Sequence, residues 1–265
     1  MKNMNILKVT WNCGLFSCFS QRLGAIISYA NNNKQFPDII DSSTQFETYK
    51  TNINEDITNY LLSNNNYKIP DYTSYINFTD QFTDYSKLNF NILNPIIFKY
   101  FSVSDFVTHK INDFIHNYQI DINNSCSVFY RGNDKRKECK LATSSDFINR
   151  AKKLKNALPD IKFIVQTDDS NFLYDFLNYD KTAIHIKELP TISNPNSSVT
   201  AFLNPTKRLQ FAIDLIAVVN IVAKCRYLIT HSGNCGYWAC LYRGSEDGII
   251  QHFTNEHNDN YGWLA

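Results

Sequence analysis

Phe129-Tyr130-Arg131-Gly132-Asn133-Asp134-Lys135 sets an arginine, a tight-turn glycine and an acid/base pair at the end of an apolar run spanning residues 126–130. The run reads as a buried strand, which places Arg131 to Lys135 on the loop at its carboxyl end. In open α/β sheets ligands bind in the crevice outside those ends, and an arginine fork there suits a phosphate or a carboxylate. Taken by itself, the same loop reads better as a surface turn whose charges are solvated or pair among themselves. Its neighbours along the chain decide between the two.

Downstream, strands and helices alternate. A helix over residues 144–158, capped by Ser144 or Ser145 and closed by Pro159, leads to a strand at 161–166. That strand ends in Thr167-Asp168-Asp169-Ser170, where either aspartate or Ser170 caps a short helix through Leu177. A strand at 183–186 and a polar loop at 190–205 follow. The helix at 206–223 is apolar almost all round from Phe211, which predicts that it is sandwiched. A strand at 226–230, the turn Ser232-Gly233-Asn234, a helix at 236–242 and a strand at 248–253 complete the series. Such alternation implies βαβ units, a parallel sheet and right-handed crossovers.

Upstream, the texture is less regular. A strand at 6–11, a helix carrying Leu23, Ile26, Ile27 and Ala30, and a strand at 37–41 open the chain, and a helix at 104–118 precedes the change of texture near Asp121. Asparagine runs at 31–33 and 64–66 read as loops. The expected architecture is α/β, with a small irregular first half (1–120) and a second half (121–265) facing each other across a cleft.

Composition narrows the function. Twenty-six basic against 25 acidic side chains in 265 residues give a net charge of +1, so there is no electrostatic case for a nucleic-acid partner. Any anion site must be local. Seven cysteines with no zinc-like spacing read as free thiols, and residues 1–11 lack the apolar core of a signal peptide. No window is apolar enough for a membrane span, so a cytoplasmic protein is expected.

Three segments together resemble fucosyltransferases of the two-domain GT-B fold, whose halves are Rossmann-like domains facing a cleft. Phe129 to Asp134 is similar to their arginine-bearing motif, commonly His-x-Arg-Arg/Gly-x-Asp, with Phe129 at the histidine position. Ile164-Val165-Gln166-Thr167-Asp168-Asp169 is similar to their strand ending in Thr/Ser-Asp-Asp. The stretch from Asp214 to Gly233 resembles their segment running from an aspartate to a serine, and Tyr237-Trp238-Ala239 their Trp-Trp-Ala; Gly14-Leu15-Phe16-Ser17 echoes an N-terminal Gly-x-Gly-Asn.

The resemblance implies an inverting, metal-independent transfer of fucose or a related sugar from a GDP-linked donor to a glycan or protein hydroxyl. Residues 1–120 would be the acceptor side and 121–265 the donor side, with no cofactor beyond the nucleotide sugar. Carried over by match, Arg131 would hold the β-phosphate, Asp168 and Asp169 would lie near the guanosine, and Ser232 and Gly233 would face the phosphates, with Gly132, Asp134, Asp214 and His231 also in the donor site. A UDP-linked donor, or a catalytically silent carbohydrate-binding protein of the same fold, are the alternatives.

The residues themselves leave several roles open. Arg131 suits leaving-group stabilisation; Lys135 either assists or is solvated beside Arg136 and Lys137, the weightier reading. One of Asp168 and Asp169 caps a helix, and the other accepts from a base or ribose or is solvated. Asp214 pairs with Lys207 or Arg208, or faces the donor. His231 is the histidine best placed to touch substrate, although a strand-end histidine is more often structural. Asp38, Asp41 and Glu47 are candidates for an acceptor-side base.

Overall fold

In the computed structural model, the described residues are 4–53, 55–63, 65–70, 74–194 and 196–264. Residues 1–3 of the N-terminal segment, Asn64 of the second asparagine run and Pro195 of the polar loop lie outside them. The chain begins with β1 (Ile6–Lys8), which pairs in parallel with β2 (Ile39–Asp41), Ile6 standing opposite Ile39. The crossover between them is α1 (Leu15–Asn33), whose Leu23, Ile26, Ile27 and Ala30 are all buried, as their helical spacing requires.

The short α2 (Thr58–Leu61) precedes α3 (Phe90–Phe101) and α4 (Asp105–Asn117). Ser104 Oγ caps α4 by accepting from Val107 N at 3.3 Å. The helix α3 is not legible in the sequence, because Pro95 stands inside it and deletes an i→i−4 hydrogen bond. Burial of Leu93, Ile96, Ile97, Tyr100 and Phe101 outweighs that loss.

Beyond Asp121 the alternation is regular. In order come β3 (Ser125–Tyr130), α5 (Ser144–Ala157), β4 (Lys162–Thr167), α6 (Ser170–Tyr179), α7 (Arg208–Lys224), β5 (Tyr227–His231), α8 (Asn234–Arg243), β6 (Ile249–Thr254) and β7 (Tyr261–Trp263). They form one sheet in the order β4-β3-β5-β6-β7, parallel except for the antiparallel last strand. From β3 the chain moves outward to β4, then returns to lay β5 on the opposite side of β3. Connections from β3 and β5 therefore leave in opposite directions, and a crevice opens between the two loops. Arg131 follows β3 and Ser232 follows β5.

Several local expectations need correcting. Residues 183–186 form no strand among the described residues; Ile184 makes a single parallel bridge to Ile164. The cap of α5 is Thr143 rather than Ser144 or Ser145, since Thr143 and Asp146 satisfy each other in a capping box. The polar segment after residue 190 bridges Asp169 through Ile192 and holds a 3-10 turn at Val199–Phe202.

One face of the sheet, with Cys126, Val128, Phe163 and Val165, packs against Phe147, Phe172 and Phe176 of α5 and α6. The other face carries Phe129, Ile164 and Leu228 and is covered by α7, which is buried on nearly all sides, as predicted. That second apolar cluster continues without a break into α1, α3 and α4. At its centre the Trp238 ring lies 4.7 Å from Phe101, 5.1 Å from Phe19 and 6.3 Å from Phe16, centroid to centroid, and its Nε1 donates to Ser20 Oγ at 2.9 Å. All seven cysteines are free. Among the described residues no helix is long and apolar enough to cross a membrane.

Candidate active site

Arg131 stands at the crevice with its side chain fixed on three sides. Nε donates to Asp168 Oδ2 at 2.7 Å, Nη2 to Asp134 Oδ1 at 2.9 Å and Nη1 to Cys235 Sγ at 3.3 Å. A guanidinium has five N–H donors, so two remain for a ligand. Burial works against its charge, but Asp168, Cys235 and Asp134 more than restore it and hold its pKa well above the ordinary value. The backbone is held as well: Arg131 N donates to His231 Nε2 at 2.9 Å, and Gly132 N to Asp168 Oδ1 at 2.8 Å.

Gly132 has no room for a side chain. A Cβ there would lie 2.5 Å from Asp169 Oδ2 and from Tyr130 Cε1. Asp169 itself caps α6, accepting from Asn171 N at 2.9 Å, while its other oxygen pairs with Arg136 at 3.0 Å. Of the two adjacent aspartates, then, Asp169 is the helix cap and Asp168 is the anchor of the arginine loop.

On the opposite wall, β5 runs into α8. His231 is buried and neutral: burial drops its pKa to about 3, and its Nδ1 hydrogen bonds to Ser232 O at 2.8 Å while Nε2 accepts from Arg131. It is a positioning residue that ties β5 to the β3 loop. Ser232 Oγ faces away from the crevice, accepting from Thr254 N at 3.0 Å and from Gln251 Nε2 at 3.1 Å. Gly233 does face it. The first turn of α8, Asn234 to Gly236, presents its amides to the same space, where the helix dipole favours an anion.

These walls enclose a cavity of about 290 Å³ that includes Arg131, Asp134, Lys135, Glu138, Asp168, His231 and Gly233. Gly14 to Ser17 at the start of α1, with Thr48, Tyr49 and Gln81, close it from the first half. Lys135 is not solvated: it is 6 % exposed, and its Nζ donates to Gln81 Oε1 and Glu138 Oε2, each at 2.6 Å.

Asp169, Ser232, Gly132 and Asp214 do not line the cavity. Asp214 faces α4, where it accepts from Gln210 Nε2 at 2.9 Å and lies 3.8 Å from Lys110 Nζ; its partner is neither Lys207 nor Arg208, and burial pushes its carboxyl up. Asp38, Asp41 and Glu47 are likewise absent from the wall; Asp38 accepts from Asn5 N and Asp41 from Ser43 N. Sequence reasoning passed over Glu138 and Gln166. Only Gln166 left a signal, a polar residue directly after the apolar run at 163–165. Among the described residues no cluster of His, Cys, Asp or Glu could hold a metal ion.

No protein-family model matches the sequence, and no curated protein matches it either. Solved structures do match the fold. An α-1,6-fucosyltransferase, NodZ, in a crystal soaked with GDP-fucose, superposes with a TM-score of 0.61 over 99 % of both chains at 11 % identity. This is a fucosyltransferase-like fold. NodZ co-crystallised with GDP gives a TM-score of 0.59 at 10 % identity, and selenomethionine NodZ from Bradyrhizobium 0.57 at 11 %, both again covering 99 % of each chain. Within the fucosyltransferase-like fold, the β3 loop and the N-terminus of α8 are the elements that converge on the cavity.

Proposed function

We propose that this chain is a glycosyltransferase that moves fucose, or a related sugar, from a GDP-linked donor to a glycan or protein hydroxyl. The observation that carries the reading is Arg131, held by Asp168 at a strand-order reversal and meeting the first turn of α8, through Cys235 Sγ, at the wall of one cavity. Likeness to a fucosyltransferase crystallised with GDP-fucose supports the choice of donor.

In this reading the acceptor oxygen attacks the anomeric carbon from the face opposite the diphosphate. The bond from that carbon to the phosphate oxygen breaks, and its electron pair leaves with GDP. Negative charge then grows on the β-phosphate. The two unused N–H groups of Arg131 and the α8 amides receive it, and Lys135 adds positive charge nearby, so neutralisation needs no metal ion. The acceptor proton goes to a carboxylate. Asp168 has both oxygens engaged, whereas Asp134 and Glu138 each hold a cation through one oxygen, Arg131 and Lys135 respectively; Glu138, the more exposed of the two at the cavity wall, is the base in this reading. Residues 1–120 would present the acceptor and 121–265 the donor.

Incubation with GDP-fucose should release GDP, and Arg131→Ala, assayed at a temperature where circular dichroism shows the variant folded, should cut that release by about 10²–10³-fold. Unchanged release in the variant would remove the central claim. GDP at about 100 times its dissociation constant should add roughly 2.7 kcal/mol of stability. A shift with UDP in place of GDP would transfer the reading to a UDP-linked sugar, and no release from any donor would favour a silent binding protein.

A further inference from the structure

Gln166, next to last in β4, is 1 % exposed, and neither its Oε1 nor its Nε2 has a hydrogen-bond partner among the described residues. Alternation along the strand places it on the face of Ile164, toward α7, whereas Phe163 and Val165 face α5 and α6. It lines the same cavity as Arg131. A buried carboxamide with both ends unmade is costly to the folded chain, and nothing in the packing of β4 against β3 calls for a polar side chain there.

The surroundings indicate what it awaits. Phe129, its pairing partner on β3, joins Leu189, Pro190, Val199, Phe211 and Leu215 in the cavity wall, so the amide sits in an apolar setting with an aromatic ring at its side. Arg131 lies two residues beyond Phe129, about 7 Å along the strand. The cavity is thus polarised, with the unpartnered carboxamide of Gln166 beside largely apolar side chains, among which Ser198 and Thr200 also line the wall, at one end and a guanidinium with the start of α8 at the other. A nucleoside diphosphate has the same polarity: a flat base whose edge carries adjacent donor and acceptor atoms, and phosphates at the far end.

We propose that Gln166 is the residue that recognises the base of the nucleotide; for the guanine of the donor reading it accepts through Oε1 from N1–H and donates through Nε2 to O6. The assignment rests on the donor reading above for its phosphate end. It makes Gln166 a group whose hydrogen bonds are completed by ligand, which separates it from Asp168 and His231, whose partners are all within the chain.

The test measures binding of GDP and of inorganic pyrophosphate by calorimetry to wild type and to Gln166→Met, which keeps the length of the side chain and removes its polar atoms. GDP affinity should fall by about tenfold or more, since two hydrogen bonds are lost. Pyrophosphate affinity should not change, and the unliganded variant should melt a few degrees higher, because an unsatisfied buried amide is gone. GDP binding equal to wild type, or a lower unliganded melting temperature with GDP and pyrophosphate weakened alike, would overturn the role. Gln166→Leu serves as a second apolar variant in case methionine packs poorly. If wild type binds GDP no more tightly than pyrophosphate, so that the base adds nothing, this inference fails alone; if it binds neither ligand, the donor reading fails and takes the inference with it.

Discussion

Arg131 and Asp168 meet at 2.7 Å through Nε and Oδ2, and the remaining carboxylate oxygen accepts from Gly132 N at 2.8 Å. One side chain therefore fixes both the guanidinium and the backbone that carries it. Asp168→Asn keeps the shape and loses the charge. It should destabilise the fold by about 1–3 kcal/mol and weaken pyrophosphate binding by at least as much as it weakens any apolar contact of the ligand. Urea unfolding and calorimetry read the two effects, and a variant with wild-type stability and affinity would show that the pair is incidental.

Gly132 tests the crowding of the same loop. Its alanine variant would push a methyl group into Asp169 and Tyr130, both of which are fixed, Asp169 by capping α6 and Tyr130 by stacking on Phe172 at 4.1 Å. Overpacking of this kind costs about 1–3 kcal/mol. Gly132→Ala should therefore lower the melting temperature, and a neutral outcome would mean that the loop relaxes freely.

His231 gives the protein a characteristic response to acid. Its folded pKa is near 3 against an ordinary 6.5, so above pH 6.5 it is neutral in both states and contributes no slope. Between 6.5 and 3 the unfolded chain takes up a proton that the folded chain refuses, and stability falls as pH falls, by up to about 1.4 kcal/mol per pH unit. Burial also lowers the pKa of His252 and His185, which adds in the same sense. In His231→Gln the urea midpoint should depend less steeply on pH between 6 and 4; an unaltered slope would place the proton elsewhere.

Trp238 joins aromatic rings from both halves of the chain. Its alanine variant should lose about 3–5 kcal/mol, and circular dichroism in urea should still report one transition, because the apolar cluster from α1 to α8 is continuous. Two separated transitions would show that the halves unfold independently.

Parallel strands buried on both faces are apolar runs, so β3, β4, β5 and β6 stand out in the sequence, and with them the loops that carry Arg131 and Gly233. The short β7, Tyr-Gly-Trp, carries no such run and is defined by its pairing with β6. In the first half, order comes from distant partners. Tyr85 N donates to Gln251 Oε1 at 2.9 Å and Tyr237 Oη to Thr79 O at 2.8 Å, contacts that no local pattern encodes. Side-chain direction at the site was equally hidden. Ser232 turns to β6, Asp214 to α4 and Lys135 inward because of neighbours far away in sequence, whereas the capping role of one of the two aspartates follows from its position before a helix.

The fused aromatic core around Trp238 also bears on how molecules reach the cavity. Two lobes joined only by a linker can swing apart like a clamshell, but here such a hinge would drag Phe16, Phe19, Phe101 and Trp238 into water. On the proposed reading, ligands would enter and leave past the rim, where Pro190 and Val199 line the cavity, without the two halves parting.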